Sequence, residues 1–367
     1  MKQTKIVFFQ TAHAADDDRV WYHQAMSLAN EDFNVHVLAN NSNFIENECI
    51  TIVDTSNKKI SEKLDLYTSA LEILAPDIVV CDTPFALKCV NNLKKRGKKI
   101  KTIYDVTEWY PSKKNFLGLN PIKKIFKSIF LALLNFTVNF KTDGFIFGEV
   151  DKAKPFRILF PRKPYIYLSY YPDLQYIDSK CLSDFNDRVK LFYAGDLSEE
   201  KGFNNVIEVA KLLAKRYDNQ QFVLNVVTND NFENYLLQPN LEIIFHKYMP
   251  LKEFCSVAAN NDFFLDLRKV DFENSRCLPI KLFYYMAMQR PVIYSDLLAI
   301  RKGCPEVFQF GYLVAPTDYN NIVDVIGEYI NTPEKYRVHC DNARKYSEEK
   351  YNWGAIKDGF IKFVESL

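Results

Sequence analysis

Glu273-Asn-Ser-Arg-Cys-Leu-Pro-Ile-Lys-Leu-Phe-Tyr-Tyr-Met-Ala-Met-Gln-Arg-Pro-Val-Ile-Tyr-Ser-Asp-Leu-Leu-Ala-Ile-Arg301 is the most informative run in the chain. A polar loop leads into Pro279, an apolar helix follows, Pro291 stops it, and Val292-Ile-Tyr294 has the makeup of a short strand. Loop, helix and strand in that order are the βαβ grammar of a parallel sheet. The polar loop stands at a helix N-terminus, on the edge where open α/β sheets collect ligands.

The residues around this run continue the same rhythm. Upstream, Lys190-Leu-Phe-Tyr-Ala is a strand, Gly195 to Gly202 a loop, and Phe203 to Arg216 an amphipathic helix. Two glycines framing a loop that feeds a helix N-terminus make an anion site, because free N–H groups and the helix dipole both favour negative charge. Lys201 adds a point charge there. Further strands are expected at Phe222–Val226, Leu241–Phe245 and Phe263–Asp266, with a helix at Lys252–Asn260 between the last two.

The first half has its own α/β pattern. Lys5–Gln10, Val35–Leu38, Asp77–Asp82 and Thr102–Tyr104 read as buried strands, and Val20–Ala29 as a helix. No glycine occurs before Gly97, which excludes a Gly-rich dinucleotide turn after the first strand. That turn instead carries His13 and Arg19 among three aspartates. It is either a solvated turn with Asp caps or the wall of a site. Asp105 and Glu108 follow a strand, beside Tyr110 and Pro111, and serve either as helix caps or as site groups. Pro121 to Phe140 is a strongly apolar helix with Lys123, Lys124 and Lys127 at its start. It is either packed between layers or an interfacial helix that meets anionic lipid. Phe145–Phe147 is expected as the last strand of this half, and the Pro- and Tyr-rich segment Pro155–Pro172 as the connector.

Composition narrows the class. A chain of 367 residues implies two domains, each of about 150–200 residues. Net charge of +1 argues against a nucleic-acid partner held by bulk electrostatics. The eight cysteines never fall as C-x-x-C, so reduced thiols are expected and a zinc site or disulfide framework is not. No signal peptide is expected ahead of the first strand, and no apolar run reaches the ~20 residues of a membrane span. A cytoplasmic protein is the expectation.

Together these motifs resemble those of the GT-B nucleotide-sugar glycosyltransferases, the retaining glycosyltransferase family four (glycosyl transferases group 1). That family typically reads Leu-Pro-x-Lys-Leu-Phe-Glu-Tyr-Met-Ala, then Pro-Val-Ile and Ser-Asp. Leu278, Pro279, Lys281, Leu282, Phe283, Tyr285, Met286, Ala287, Pro291, Ser295 and Asp296 match, and Tyr284 stands where the acid would be. The Gly195–Gly202 loop is similar to the family's Gly-x-Leu-x-x-x-Lys-Gly diphosphate loop, with Asp196 in place of a frequent Arg. Tyr104, Asp105, Glu108, Tyr110 and Pro111 match a further motif, with Thr107 in place of His. Gly311 to Asp318 resembles the family's Gly-x-Leu-Val-x-Pro-x-Asp.

The resemblance implies an α/β protein of GT-B type: two facing Rossmann-like domains with parallel sheets, and a C-terminal helix crossing back to the first. The acceptor-side domain would be 1–166, the donor domain 167–345 and the returning helix 346–367. The implied activity is transfer of a hexosyl or other glycosyl group from a nucleotide-diphosphate sugar to a hydroxyl of a lipid-linked glycan, in cell-surface polysaccharide synthesis. It would proceed with retention, without metal and with no cofactor besides the nucleotide-sugar co-substrate. Implied catalytic residues are Glu108, His13 and Lys201. Gly195, Lys201, Gly202, Tyr248, Glu273, Asn274, Pro279, Lys281 and Tyr284 would bind the donor; His13, Arg19, Asp105 and Thr107 would lie on the acceptor side. Lys123, Lys124 and Lys127 would meet an anionic membrane surface, making the protein peripheral on the inner face. A degenerate GT-B protein that binds sugar or a partner is the alternative, and an epimerase a third reading.

Overall fold

The computed structural model describes residues 3–108, 110–111, 113–116, 118–181, 185, 188–231 and 238–367. The chain divides into two compact units, Met1–Ser169 with Ile356–Leu367, and Tyr170–Ala355.

In the first unit the strands are β1 (Lys5–Phe9), β2 (Asn34–Ala39), β3 (Ile50–Ile52), β4 (Ile78–Cys81), β5 (Lys101–Val106), β6 (Gly144–Phe147) and β7 (Tyr165–Tyr167). They form one parallel sheet in the order β3-β2-β1-β4-β5-β6-β7. Ile6 to Phe9 of β1 lie between Val35–Leu38 and Ile78–Cys81 and are fully buried. Runs without polar alternation are what a parallel sheet covered on both faces demands. The helices are α1 (Met26–Ala29), α2 (Ile60–Leu74), α3 (Pro84–Lys95), α4 (Pro121–Asn139) and α5 (Val150–Leu159).

In the second unit β8 (Arg188–Ala194), β9 (Gln221–Val227), β10 (Leu241–His246), β11 (Phe263–Asp266), β12 (Val292–Ser295) and β13 (Gly311–Val314) are all parallel, in the order β10-β9-β8-β11-β12-β13. Its helices are α6 (Phe203–Arg216), α7 (Leu251–Ala259), α8 (Ile280–Ala287), α9 (Leu298–Gly303), α10 (Tyr319–Asn331) and α11 (Pro333–Glu349). Both sheets have the doubly wound order, so each has one switch point where the winding reverses: β1/β4 in the first unit and β8/β11 in the second. Crevices open at such points beyond the strands' C-terminal ends. The last helix, α12 (Lys357–Glu365), belongs to the first unit. Gly144 of β6 makes room for it: a Cβ there would lie 2.9 Å from the Phe363 ring.

Several sequence expectations are corrected. β6 is not the last strand of the first sheet, because β7 pairs beyond it. The Pro155–Pro172 segment is not a bare connector: α5 runs through Pro155, and β7 follows. Proline costs α5 a hydrogen bond, but Phe156 and Phe160 pack on Phe145 and hold the segment in place. β5 extends to Val106, so Asp105 lies within the strand. The helix expected at Val20–Ala29 is wound wide, π-fashion, over Arg19–Ala25 before tightening into α1. Helix α4 is not buried between layers; only Leu131, Val138 and Asn139 of it are buried. No helix among the described residues is long and apolar enough to cross a membrane.

One buried acid gives the second unit a pH signature. Asp262, just before β11, accepts from the Lys190 amide at 2.8 Å and is pushed up to about 6 by burial. Because the folded state then holds this proton more tightly than the unfolded one, ionisation of Asp262 weakens the fold as pH rises from the ordinary carboxylate range to about 6. Asp262→Asn is expected to match the wild type in urea melts near pH 4 and to gain on it up to about pH 6. A constant difference across that window would reject the assignment.

Candidate functional site

At the β8/β11 switch point, β8 runs into Gly195 (φ +137°), and the loop closes at Gly202 (φ +78°), which caps α6. Gly202 is required twice over. Its φ lies in the left-handed region, and a Cβ would fall 1.9 Å from the Leu267 carbonyl oxygen. That close approach packs the α6 N-terminus against the end of β11, with its amides directed to the crevice edge.

Around this loop lies a charged cluster. Asp266, at the end of β11, is 2% exposed and takes Arg268 in a two-pronged ion pair, Nε to Oδ1 at 2.7 Å and Nη2 to Oδ2. The Tyr294 hydroxyl donates to the same carboxylate at 2.9 Å, and the Lys281 ammonium stands 3.7 Å from it. Burial alone would raise the Asp266 pKa, but the charge and hydrogen bonds of Arg268 hold it well below the usual carboxylate range. Lys281, in the first turn of α8, donates to the Ala194 carbonyl and reaches the backbone of Gly195, where a Cβ would lie 3.0 Å from Nζ. Burial, with Arg268 and Lys201 nearby, outweighs Asp266 and pushes it down to about 8. The first turn of a helix is an unfavourable place for a cation. An anion at the loop would relieve that strain.

The remaining donor candidates are distributed unevenly. Tyr248 is half exposed on the rim of this loop, its hydroxyl 3.5 Å from the Asp196 carboxylate and its amide on Asn229. Glu273 and Asn274 both donate backbone N–H groups to Asp271, which fixes the turn before Cys277. Asn274 is buried, and its Nδ2 has no hydrogen-bond partner among the described residues. Pro279 is buried at the N-terminus of α8. Tyr284 differs from expectation: it is 4% exposed and packs in the core with Leu282 and Phe283, so its ring is a structural element more than an open ligand surface.

In the first unit the β1/β4 switch point is built on Asp82. It accepts from the amides of Thr11 and Ala12, both at 2.7 Å, and from the Thr11 hydroxyl at 3.1 Å. His13 follows, its Nδ1 3.8 Å from Asp17 and its Nε2 buried without a partner among the described residues. Asp17 is pushed up to about 6, by burial first and by Asp18 second. The structure thus brings His13, Asp17 and Asp82 together; sequence reasoning picked only the first.

Arg19 and Asp105 are placed differently from their expected acceptor-side role. They bind each other through Nε–Oδ2 at 3.1 Å and Nη2–Oδ1 at 2.9 Å, both nearly fully buried. Gln24 adds a third bond to Asp105, and Arg19 Nη1 reaches the Leu168 carbonyl, both at 2.9 Å. A pair so occupied ties β5, the wide helix turn and the end of the unit together. Thr107 contributes its carbonyl to the Lys152 ammonium at 2.5 Å. Glu108 is exposed, at the mouth of a cleft between α4 and α5.

Arg268 and Tyr193 are the residues missed. Arg268 stands two residues beyond the end of β11, and the strand-end rule applied to Leu265-Asp-Leu-Arg268 would have found it. The Tyr193 ring lies under Lys281 at 5.6 Å, and its hydroxyl donates to the Asp196 carbonyl at 2.5 Å.

Arg19→Ala would strand Asp105 as an unpaired buried charge, at a cost of about 3–5 kcal/mol. Denaturant melts are expected to show that loss; a change within the range of a surface substitution would mean the pair does not hold the unit together.

Residues 188–332 match the family model described as Glycosyl transferases group 1. No curated protein sequence matches the chain. Among solved structures, it is similar to sucrose-phosphate synthase from Thermosynechococcus elongatus, at 12% identity over 99% of both chains with a TM-score of 0.73. HepE of Anabaena, solved with UDP-glucose, is 13% identical over 100% of both chains at a TM-score of 0.70. WaaG, a glycosyltransferase involved in lipopolysaccharide biosynthesis, is 12% identical over 98% of this chain and 99% of its own, at 0.69. The chain thus has the GT-B fold of these structures, and the stretch 188–332 of its second unit carries the likeness to glycosyl transferases group 1.

Proposed function

We propose that this protein transfers a hexosyl or related group from a nucleotide-diphosphate sugar to a hydroxyl of a lipid-linked glycan, with retention and without metal, in surface polysaccharide synthesis at the cytoplasmic face of a membrane. The observation that carries the donor half is a pair of ammonium groups, Lys201 on the two-glycine loop before α6 and Lys281 reaching the same loop from α8. Charge develops on the leaving diphosphate as the glycosidic bond breaks, and fixed cations with oriented amides stabilise it. Lys281 supplies a second cation at a loop where Asp196 supplies none. Asn274, with its unpartnered amide, and Glu273 lie on the loop that would face the sugar. Tyr248 offers a face on which a base can stack. On the acceptor side His13 is the group of choice, since its buried Nε2 is free to bind a hydroxyl and Asp17 steadies the other nitrogen. Glu108 remains a candidate there by its exposure alone.

The lipid half rests on α4. Ile122, Ile125, Phe126, Ile129, Leu133 and Phe136 recur at helical spacing, yet all are exposed, Phe126 by 70%. Lys123, Lys124 and Lys127 are exposed at the same end, and the helix contains no acid. A basic, aromatic, apolar face of this kind suits an anionic bilayer, each cation near the surface contributing about 1 kcal/mol.

Calorimetric titration with a panel of nucleoside diphosphates tests the donor half. Affinity is expected to fall as pH rises above about 8, where Lys281 loses its proton. Lys281→Met should bind more weakly and without that fall, and Lys201→Ala should weaken a nucleoside diphosphate more than the bare nucleoside. Failure of every nucleotide to bind would turn the reading toward a sugar-binding partner protein. Sedimentation with anionic vesicles tests α4: neutralising Lys123, Lys124 and Lys127 should release the protein, and unchanged pelleting would refute a role for this face.

A further inference from the structure

Helices α4 and α5 leave a cleft of about 210 Å³ between them. Ala132, Asn135 and Phe136 of α4 and Pro155, Phe156 and Leu159 of α5 form its walls. Phe160 stacks on Phe136 with ring centroids 5.6 Å apart and closes one side. Of the polar side chains along it, Asn135, Asn139 and Lys152 already have partners. The Asn139 amide donates to Asn135 at 2.7 Å, and Lys152 binds the Thr107 carbonyl at 2.5 Å and Glu149 at 3.0 Å. Water is stable in such a space only with two to four polar partners, and this lining has few to give. Phe136 is 40% and Leu159 54% exposed, so the cleft wall continues into the exposed apolar stripe of α4, with its three lysines at the far end.

We propose that this cleft holds a single hydrocarbon chain of a membrane lipid, with Glu108 at its mouth and the lipid's anionic head toward the basic surface of α4. The inference rests on the membrane reading of α4 for the source of the chain, but not for the site itself. Two features of the cleft favour a lipid over other apolar partners. The void is narrow and bounded by side chains of two helices, which suits a chain and not a protein surface. Its open side merges with a face whose charge complements anionic headgroups.

The test uses the intact protein and cis-parinaric acid below its micellar concentration, so that no bilayer is needed. The wild type should bind the probe with enhanced fluorescence. Ala132→Trp fills the cleft and Leu159→Glu places a charge at its edge; each should weaken binding at least about tenfold, since several buried methylenes are lost. Both positions are exposed, so both variants should fold, and circular dichroism checks that they do. No binding, or binding untouched by both substitutions, would overturn the cleft assignment. Displacement of the probe by farnesyl phosphate in preference to lysophosphatidic acid would support an isoprenoid chain, and the reverse order an acyl chain. If the protein fails to pellet with anionic vesicles while the probe still binds and Ala132→Trp still removes it, the membrane reading falls and the chain site stands. If pelleting persists in both variants but the probe never binds, the surface reading stands and this inference fails.

Discussion

Asp266 is the charge on which the second unit's site depends. A carboxylate buried at the end of a parallel strand is costly unless its lone pairs are filled. Arg268, Tyr294 and, at longer range, Lys281 fill them. The consequence is geometric. Arg268 is folded back on the strand end, and the ammonium of Lys281 is held over the Gly195 backbone instead of swinging in solvent. Net charge around this cluster is nevertheless positive, since the two acids Asp266 and Asp196 face three cations, Arg268, Lys281 and Lys201. On the donor reading proposed above, such a site is prepared for an anion before one arrives, and binding would require little reorganisation.

The two units apply one winding rule to different ends. At its switch point the second unit uses glycines, because a Cβ at Gly202 would fall 1.9 Å from the Leu267 carbonyl oxygen and only a bare backbone fits there. The first has no glycine there and uses a buried acid, Asp82, to gather the amides of the β1 turn. Amides that face an internal carboxylate are not available to a phosphate. His13 is left as the chemically open group on that side.

Much of the fold was legible because parallel strands buried on both faces are written as unbroken apolar runs, and α6 even begins and ends where its pattern says. The misses have physical causes. Tyr165-Ile-Tyr167 is short, flanked by prolines and half exposed, so β7 has no burial signal; its place comes from pairing with β6. α5 survives Pro155 because aromatic packing outweighs local propensity. In the site, residue types were easier to read than their occupation. Lys281, Lys201 and His13 are candidates by their position along the chain, but nothing in the sequence says that Arg19 and Asp105, 86 residues apart, spend their charges on each other. Arg268 is close in sequence to Asp266 and was hidden only by an apolar-looking neighbourhood.

Helix α4 presents the opposite problem, a helix whose pattern is clear and whose packing does not use it. An amphipathic stripe normally marks the face that turns inward. Here the inward face is Leu131, Val138 and Asn139, and the stripe from Ile122 to Phe136 lies outside. Two features of α4 are unfavourable in water: a contiguous apolar surface, and lysines in the first turns, where the helix dipole already places positive charge. Helix propensity cannot offset them, because most helical stability in proteins comes from packing. The two costs have one common remedy, since a surface that presents negative charge above hydrocarbon relieves both at once, and neither a water-facing role nor an ordinary apolar partner does so. The cleft beside α5 follows the same logic one layer deeper, with Asn139 and Lys152 already bonded and most of its remaining surface apolar.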